Sequence, residues 1–144
     1  MTKERFKLVS AVHMFFIKGN KVLLLRRFNT GYEDGNYGVP AGHLDGNESV
    51  INAAIRECAE EVAVIVKPED AEVVLTMHRK STDERIDFFV TIKDWQGEIR
   101  NNEPNKCDDL SWFDLNSLPK NMIAYIREAL MQIQNGTTFM CYGW

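Results

Sequence analysis

The chain's 144 residues, 44% apolar and 26% charged, have the composition of an ordinary soluble globular protein and suffice for one compact domain, residues 1–144, with a sizeable core. With 17 basic against 21 acidic residues the net charge is −4, which leaves no electrostatic footprint for generic nucleic-acid or anionic-membrane binding. No apolar run is long enough to span a bilayer, the N-terminal residues do not resemble a signal peptide, and Cys58, Cys107 and Cys141 form no CxxC pair or disulfide framework, so a reduced, cytoplasmic protein is expected.

Residues 7–17 alternate and then turn continuously apolar, which predicts a strand buried on at least one face. Gly19-Asn20 makes a tight turn, and KVLLLRR (21–27) returns as the second strand of a hairpin. Arg26 reads as a polar strand terminus, whereas Arg27 adjoins the following loop and is a candidate phosphate contact. The loop, 28–38, is rich in Asn, Gly, Asp and Tyr; Tyr32 and Tyr37 either face a ligand or pin the loop down.

After Val39-Pro40-Ala41-Gly42, a helix is expected to begin between about 47 and 50 and to end near Val62-Ala63, with Asp45, Asn47 and Ser49 as candidate caps. Strands are expected at 71–78 and 86–95, joined by the polar turn KSTDER, and again at 110–115. Pro119 and Asn121 introduce a last amphipathic helix through Met122, Ile123, Ile126, Leu130 and Ile133, which Asn135-Gly136 ends. The aromatic tail TTFMCYGW is expected to pack back on the body. Strand, strand, helix, strands, helix describes an α+β domain with a mixed sheet.

The helix after Gly42 carries the chemistry. At about 100° per residue, Ile51, Ile55, Cys58 and Val62 form an apolar stripe, while Glu57, Glu60 and Glu61 gather opposite it. Three neighbouring carboxylates repel one another unless a cation sits among them, and a hard divalent ion with oxygen ligands is the simplest such cation.

The stretch Gly42–Val64 resembles the Nudix hydrolase signature, G-x5-E-x7-R-E-U-x-E-E-x-G-U, through Gly42, Glu48, Arg56-Glu57, Cys58, Glu60-Glu61 and Val64. Cys58 replaces the usual aliphatic residue, and Ala63 stands where the family has glycine, at a cost of about 1 kcal/mol if that position is left-handed. The resemblance covers nearly the whole chain and implies the family's α/β/α sandwich and an enzyme that hydrolyses nucleoside diphosphates linked to another moiety, with Mg²⁺ or Mn²⁺. It implies metal ligation by Glu57, Glu60 and Glu61 with the Ala41 carbonyl, and an orienting ion pair between Arg56 and Glu48. The general base is then a glutamate of the motif helix, such as Glu57 or Glu60, or Glu103 in the loop before the 110–115 strand; Asp108 and Asp109 are weaker candidates.

The resemblance also implies substrate contacts from Arg27, Asn29, Tyr32 and Asn121. Asn121 looks like the asparagine with which mutator-type enzymes read oxidised guanine, though it equally suits a helix cap. This favours hydrolysis of (oxidised) nucleoside triphosphates to a monophosphate and pyrophosphate. The alternatives are an ADP-ribose or nucleotide-sugar pyrophosphatase and a non-catalytic nucleotide-binding module. The expected partner is a small-molecule nucleotide, and the protein is expected to be a monomer or homodimer.

Overall fold

Strand β1, Val9–Lys18, sends Val12, Met14 and Phe16 to one face of the sheet and Phe15 to the other, and all four are fully buried. Both faces are covered because helix α1, Val50–Val62, packs on the first and helix α2, Ala124–Gln134, on the second. The structure, a computed structural model, describes residues 3–144. Among these no helix is long and apolar enough to cross a membrane.

The other strands are β2 (Lys21–Arg27), β3 (Tyr37–Gly38), β4 (Ala41–His43), β5 (Ala71–Lys80), β6 (Glu84–Ile92), β7 (Cys107–Asp114) and β8 (Phe139–Tyr142). They make one sheet in the order β3-β2-β1-β6-β5-β8, with β4 added to β1 and β7 to β2. It is mixed: β1 runs parallel to β6 and β5 parallel to β8, and the remaining pairs are antiparallel. The result is the expected α+β, α/β/α sandwich.

One edge of β1 pairs with β6 from Val9 to Phe16. The other edge is shared. Ala11–His13 takes β4, and only Ile17 and Lys18 pair with β2. The expected β1–β2 hairpin therefore exists only at its tip, after which β2 diverges to pair with β7. That divergence opens the place beside β1 where Ala41 and Gly42 sit, directly before the loop into α1.

Several expected boundaries shift. The first strand begins at Val9 rather than Lys7, the sixth spans 84–92 rather than 86–95, and the seventh begins at Cys107. The closing helix begins at Ala124, with Met122 and Ile123 buried just ahead of it. Its N-cap is Ile123, so Asn121 is not the cap; its Nδ2 instead donates to the Gly35 carbonyl at 2.8 Å. The tail does fold back, as β8 along β5.

Helix α1 is capped by Ser49, whose Oγ accepts from the Asn52 amide at 3.1 Å. It ends at Ala63 in the left-handed region, φ 63°. The expense of a Cβ there is offset by the carbonyls of the last turn, which accept from the 100–102 segment: Arg100 N on Val62 O and Asn102 N on Glu61 O, both at 3.0 Å. The stripe facing the sheet is centred on Ala53, Ala54, Cys58 and Val62, with Ile51 and Ile55 only partly buried. Small alanines let the helix approach β1 closely, a preference that hydrophobicity alone does not reveal.

Candidate active site

Two glutamates of α1 reach back to the β4 turn. Glu61 Oε2 accepts the Ala41 amide at 2.9 Å. Glu57 lies against Gly42: a Cβ there would fall inside the carboxylate, with even the farther oxygen 2.6 Å away. The glycine is thus required by contact as well as by sequence pattern. Burial, reinforced by Glu57 and Glu103 and opposed by the Ala41 amide, pushes the Glu61 carboxyl up to about 8. Burial also raises Glu57, against the pull of the Arg56 guanidinium.

Arg56 is the hub of the motif. It grips Glu48 with two nitrogens, Nη2 at 2.8 Å and Nε at 3.1 Å, and donates to the His43 carbonyl at 3.1 Å. Its Nη1 reaches Glu57 Oε1 at 2.7 Å and Glu60 Oε2 at 3.5 Å. The hydrogen bond from Arg56, with one from the Asp45 amide, holds the Glu48 carboxyl below the usual carboxylate range. The Arg56–Glu48 pair forms, and Arg56 is in direct contact with Glu57 and Glu60 as well. The cation among the acids in this structure is a guanidinium, and among the described residues no three acidic, histidine or cysteine side chains converge into a ready-made cluster. The donor chemistry nevertheless suits a hard divalent ion: Glu57 packs where Gly42 carries no Cβ, Glu61 lies on the Ala41 amide, and burial raises both carboxyls, a penalty that a cation beside them would relieve.

Beside these groups opens a cavity of about 640 Å³. One wall is built from Arg27, Thr30 and Tyr32, another from Asn101, Glu103 and Lys106, and a third from Arg79, Ser81, Thr82 and Arg85. Ala41, Gly42, His43 and Glu61 form its motif end, and His13 and Tyr125 its floor. Arg27 Nε donates to the Tyr32 carbonyl at 2.7 Å and Nη2 to Thr30 Oγ1 at 3.0 Å. The guanidinium also lies 5.3 Å from the centroid of the Tyr32 ring.

Of the expected site residues, Arg27, Tyr32, Ala41, Glu61 and Glu103 line the cavity. Glu57 and Arg56 lie behind Gly42, and Glu60 is exposed at the outer face of α1. Asn29 and Asn121 are exposed and stand outside the cavity lining. The two tyrosines of the 28–38 loop divide their roles: Tyr37 is buried and bonds Asp109, whereas Tyr32 is half-exposed at the cavity. Arg26 pairs with Asp108 at 2.7 Å, as befits a strand terminus.

Sequence reading missed the floor. Asp87 is fully buried, accepting from Arg79 Nε at 2.6 Å and bonding His13 Nε2 at 3.0 Å. The Arg79 guanidinium lies 3.7 Å from the Tyr125 ring centroid, and His13 stacks on Phe89. Burial alone would raise Asp87, but the hydrogen bonds from His13 and Arg79 overcome it and hold the carboxyl below the usual range. A signal existed: His13 sits between core positions Ala11 and Phe15 on its face of the strand, and Arg79 and Asp87 each stand two residues from one core residue, Met77 and Phe89.

The NUDIX domain model matches residues 7–133. A protein of Methanocaldococcus jannaschii named ADP-ribose pyrophosphatase is 30% identical over 123 residues, 85% of this chain and 70% of that protein. Among solved structures, a MutT NUDIX hydrolase from Burkholderia pseudomallei superposes with a TM-score of 0.80 at 25% identity, covering 88% of this chain and 98% of that one. A MutT protein from Methanosarcina mazei gives a TM-score of 0.74 at 17% identity, over 92% of this chain and 97% of that one, a likeness of fold. With every charged position of the motif present, the matched domain and the shared fold, the chain belongs to the Nudix family and is a Nudix pyrophosphohydrolase.

Proposed function

We propose that this protein hydrolyses the pyrophosphate bond of a nucleoside diphosphate linked to a further moiety, using Mg²⁺ or Mn²⁺ held by Glu57, Glu60, Glu61 and the Ala41 carbonyl. The observation that carries the proposal is the motif end of the cavity, where the Glu61 carboxylate sits on the Ala41 amide and Glu57 against Gly42. When bound, the ion supplies neutralisation of phosphate charge and acidification of the attacking water. Arg56 holds Glu57 and Glu60 in orientation through its grip on Glu48. Glu103, which lines the cavity near enough to Glu61 to help raise its carboxyl, takes the proton from water, with Glu57 and Glu60 as rival bases. Arg27, fixed by Thr30 and Tyr32, steadies a substrate phosphate, and Tyr32 offers its ring to the base.

For the linked moiety, hydrolysis of nucleoside triphosphates to a monophosphate and pyrophosphate is the reading we carry forward. An ADP-ribose pyrophosphatase is the second reading, supported by the name of the archaeal relative. Asn121, with Nδ2 committed to the Gly35 carbonyl, keeps Oδ1 as an acceptor and acts on a base through the 28–38 loop, of which Asn29 is itself a part. Purified protein with Mg²⁺, then Mn²⁺, is to be assayed on deoxynucleoside triphosphates, 8-oxo-dGTP, ADP-ribose and nucleotide sugars. Release of a nucleoside monophosphate from at least one substrate is expected. Silence across the panel at neutral and alkaline pH would instead favour a non-catalytic nucleotide-binding module.

A further inference from the structure

Although the chain's net charge is −4, the cavity lining carries Arg27, Arg79, Arg85 and Lys106 against only Glu61 and Glu103. Its positive charges stand on separate walls. Arg27 and Lys106 come from the loops after β2 and before β7, whereas Arg79 and Arg85 come from the ends of β5 and β6.

The second pair is built rather than incidental. The Arg79 side chain is only 7% exposed, yet it lines the cavity. Asp87 takes its Nε, Tyr125 stacks on its face and His13 steadies Asp87 from behind. Its Nη1 makes no hydrogen bond among the described residues and is not sealed from solvent, so one edge of a rigid guanidinium is left for a ligand. Arg85 is turned similarly: Asp83 takes Nε and Nη2, and Nη1 lies 3.4 Å from His43 Nε2 at the motif end. Both counter-acids, Asp83 and Asp87, lie outside the cavity lining. They orient the guanidinium groups without occupying the space between them.

The tail reinforces this wall. Tyr142 pairs with Arg79 in register and its ring lies 6.5 Å from Tyr125, while Trp144 Nε1 donates to the His78 carbonyl at 3.1 Å. A planar donor edge fixed on an electropositive wall is the arrangement that receives oxyanions.

We infer that Arg79 and Arg85 receive a phosphate of the substrate beyond the two joined by the pyrophosphate bond that is hydrolysed, so the substrate class is one with at least three phosphates rather than a nucleoside diphosphate sugar. This rests on the pyrophosphohydrolase reading of the same site. It also gives the tail's docking a purpose, since β8 holds the strand end from which Arg79 projects.

The experiment compares wild type, Arg85→Ala and Arg79→Lys. Arg85 is partly exposed and paired only at the surface, so its replacement spares the fold; Arg79→Lys keeps the buried charge while losing the planar fork. With wild type, kcat/KM for dGTP should exceed that for ADP-ribose. The ratio of the two should fall on the order of tenfold or more in either variant, through KM for dGTP. A wild-type preference for ADP-ribose, or an equal loss on both substrates in a folded Arg85→Ala protein, would overturn the inference. Calorimetric titration with tripolyphosphate and with pyrophosphate separates this from the catalytic reading. Tripolyphosphate should bind wild type more tightly than pyrophosphate, and Arg85→Ala should erase the difference. If that holds while no nucleotide is hydrolysed, the catalytic reading falls and the anion-receiving wall stands. If wild type does not distinguish the two anions, the wall falls whatever the activity.

Discussion

Gly42 yields the space of its missing side chain to the carboxylate of Glu57. The motif glycine and the motif glutamate are therefore one packing unit, joined across the loop from β4 to α1. Gly42→Ala must push Glu57 away from the turn or move β4 off β1. Activity should fall by about 10²-fold or more, since small displacements at a reacting centre are costly. Overpacking should add about 1–3 kcal/mol of destabilisation. Steady-state kinetics with thermal unfolding checks both, and a near wild-type kcat would sink the contact's importance.

Glu60 offers the cleaner test of the metal assignment, because its side chain is 57% exposed and contributes little to packing. Glu60→Gln should lower kcat by about 10²-fold or more while leaving the melting temperature nearly unchanged. Mg²⁺ or Mn²⁺ should stabilise wild type by about 2.7 kcal/mol at one hundred times its dissociation constant, reversibly with EDTA, and Glu61→Gln should weaken that gain. A melting temperature indifferent to either ion would remove the metal from the motif.

Asp87 ties the cavity floor to acid stability. Its folded carboxyl titrates below its ordinary value of 3.8, because His13 and Arg79 hold the charged form. A group depressed on folding contributes stability above its unfolded pKa and loses it as the pH falls through the folded one. Part of the acid limb of the stability curve, below about pH 4, should accordingly belong to Asp87. Asp87→Asn should flatten that limb. At neutral pH it should cost about 3–5 kcal/mol by leaving Arg79 buried without its counter-charge. Chemical denaturation from pH 3 to 7 reads both effects, and parallel curves for the two proteins would count against the assignment.

Asn121 separates two roles. Its amide holds the Gly35 carbonyl, and its own carbonyl accepts the Tyr37 amide at 2.8 Å, so it anchors the 28–38 loop that carries Tyr32. Asn121→Ala should raise KM for all nucleotides by about fivefold to tenfold, in line with one lost hydrogen bond. A selective loss for 8-oxo-dGTP would point instead to direct reading of the base.

The residues of the motif were legible because they act over short distances on one helix. Arg56 to Glu61 are placed by the helical period, and Ser49, Ala63 and the Arg56–Glu48 pair behave as local rules predict. The limits of the same reading are equally local in origin. Asn121 looked like a cap because amides favour that position, yet the helix starts at Ala124 once Met122 and Ile123 are drawn into the core. The acidic face called for a cation; the i,i+4 spacing of Arg56 and Glu60 allows Arg56 to be one, but the contact with Glu57, its neighbour in sequence, was set by the turn at Gly42.

By itself, the sequence determined that β1 is buried on at least one face, the order of the long strands and the two helices, and the reaction-bearing motif, since these follow from periodicities and contacts within a few turns of chain; the short strands β3, β4 and β8 and the covering of both faces of β1 came only with the fold. Tertiary structure alone decided what surrounds the motif. His13 and Asp87 meet from 74 residues apart, and Arg79 faces Tyr125 only because β5 and α2 pack on the same side of the sheet. Alternation along a strand tells which way a side chain points, but not which strand lies beside it. The parallel pairing of β1 with β6, and the seating of β8 on β5, turned three isolated polar residues in apolar strands into one cavity floor.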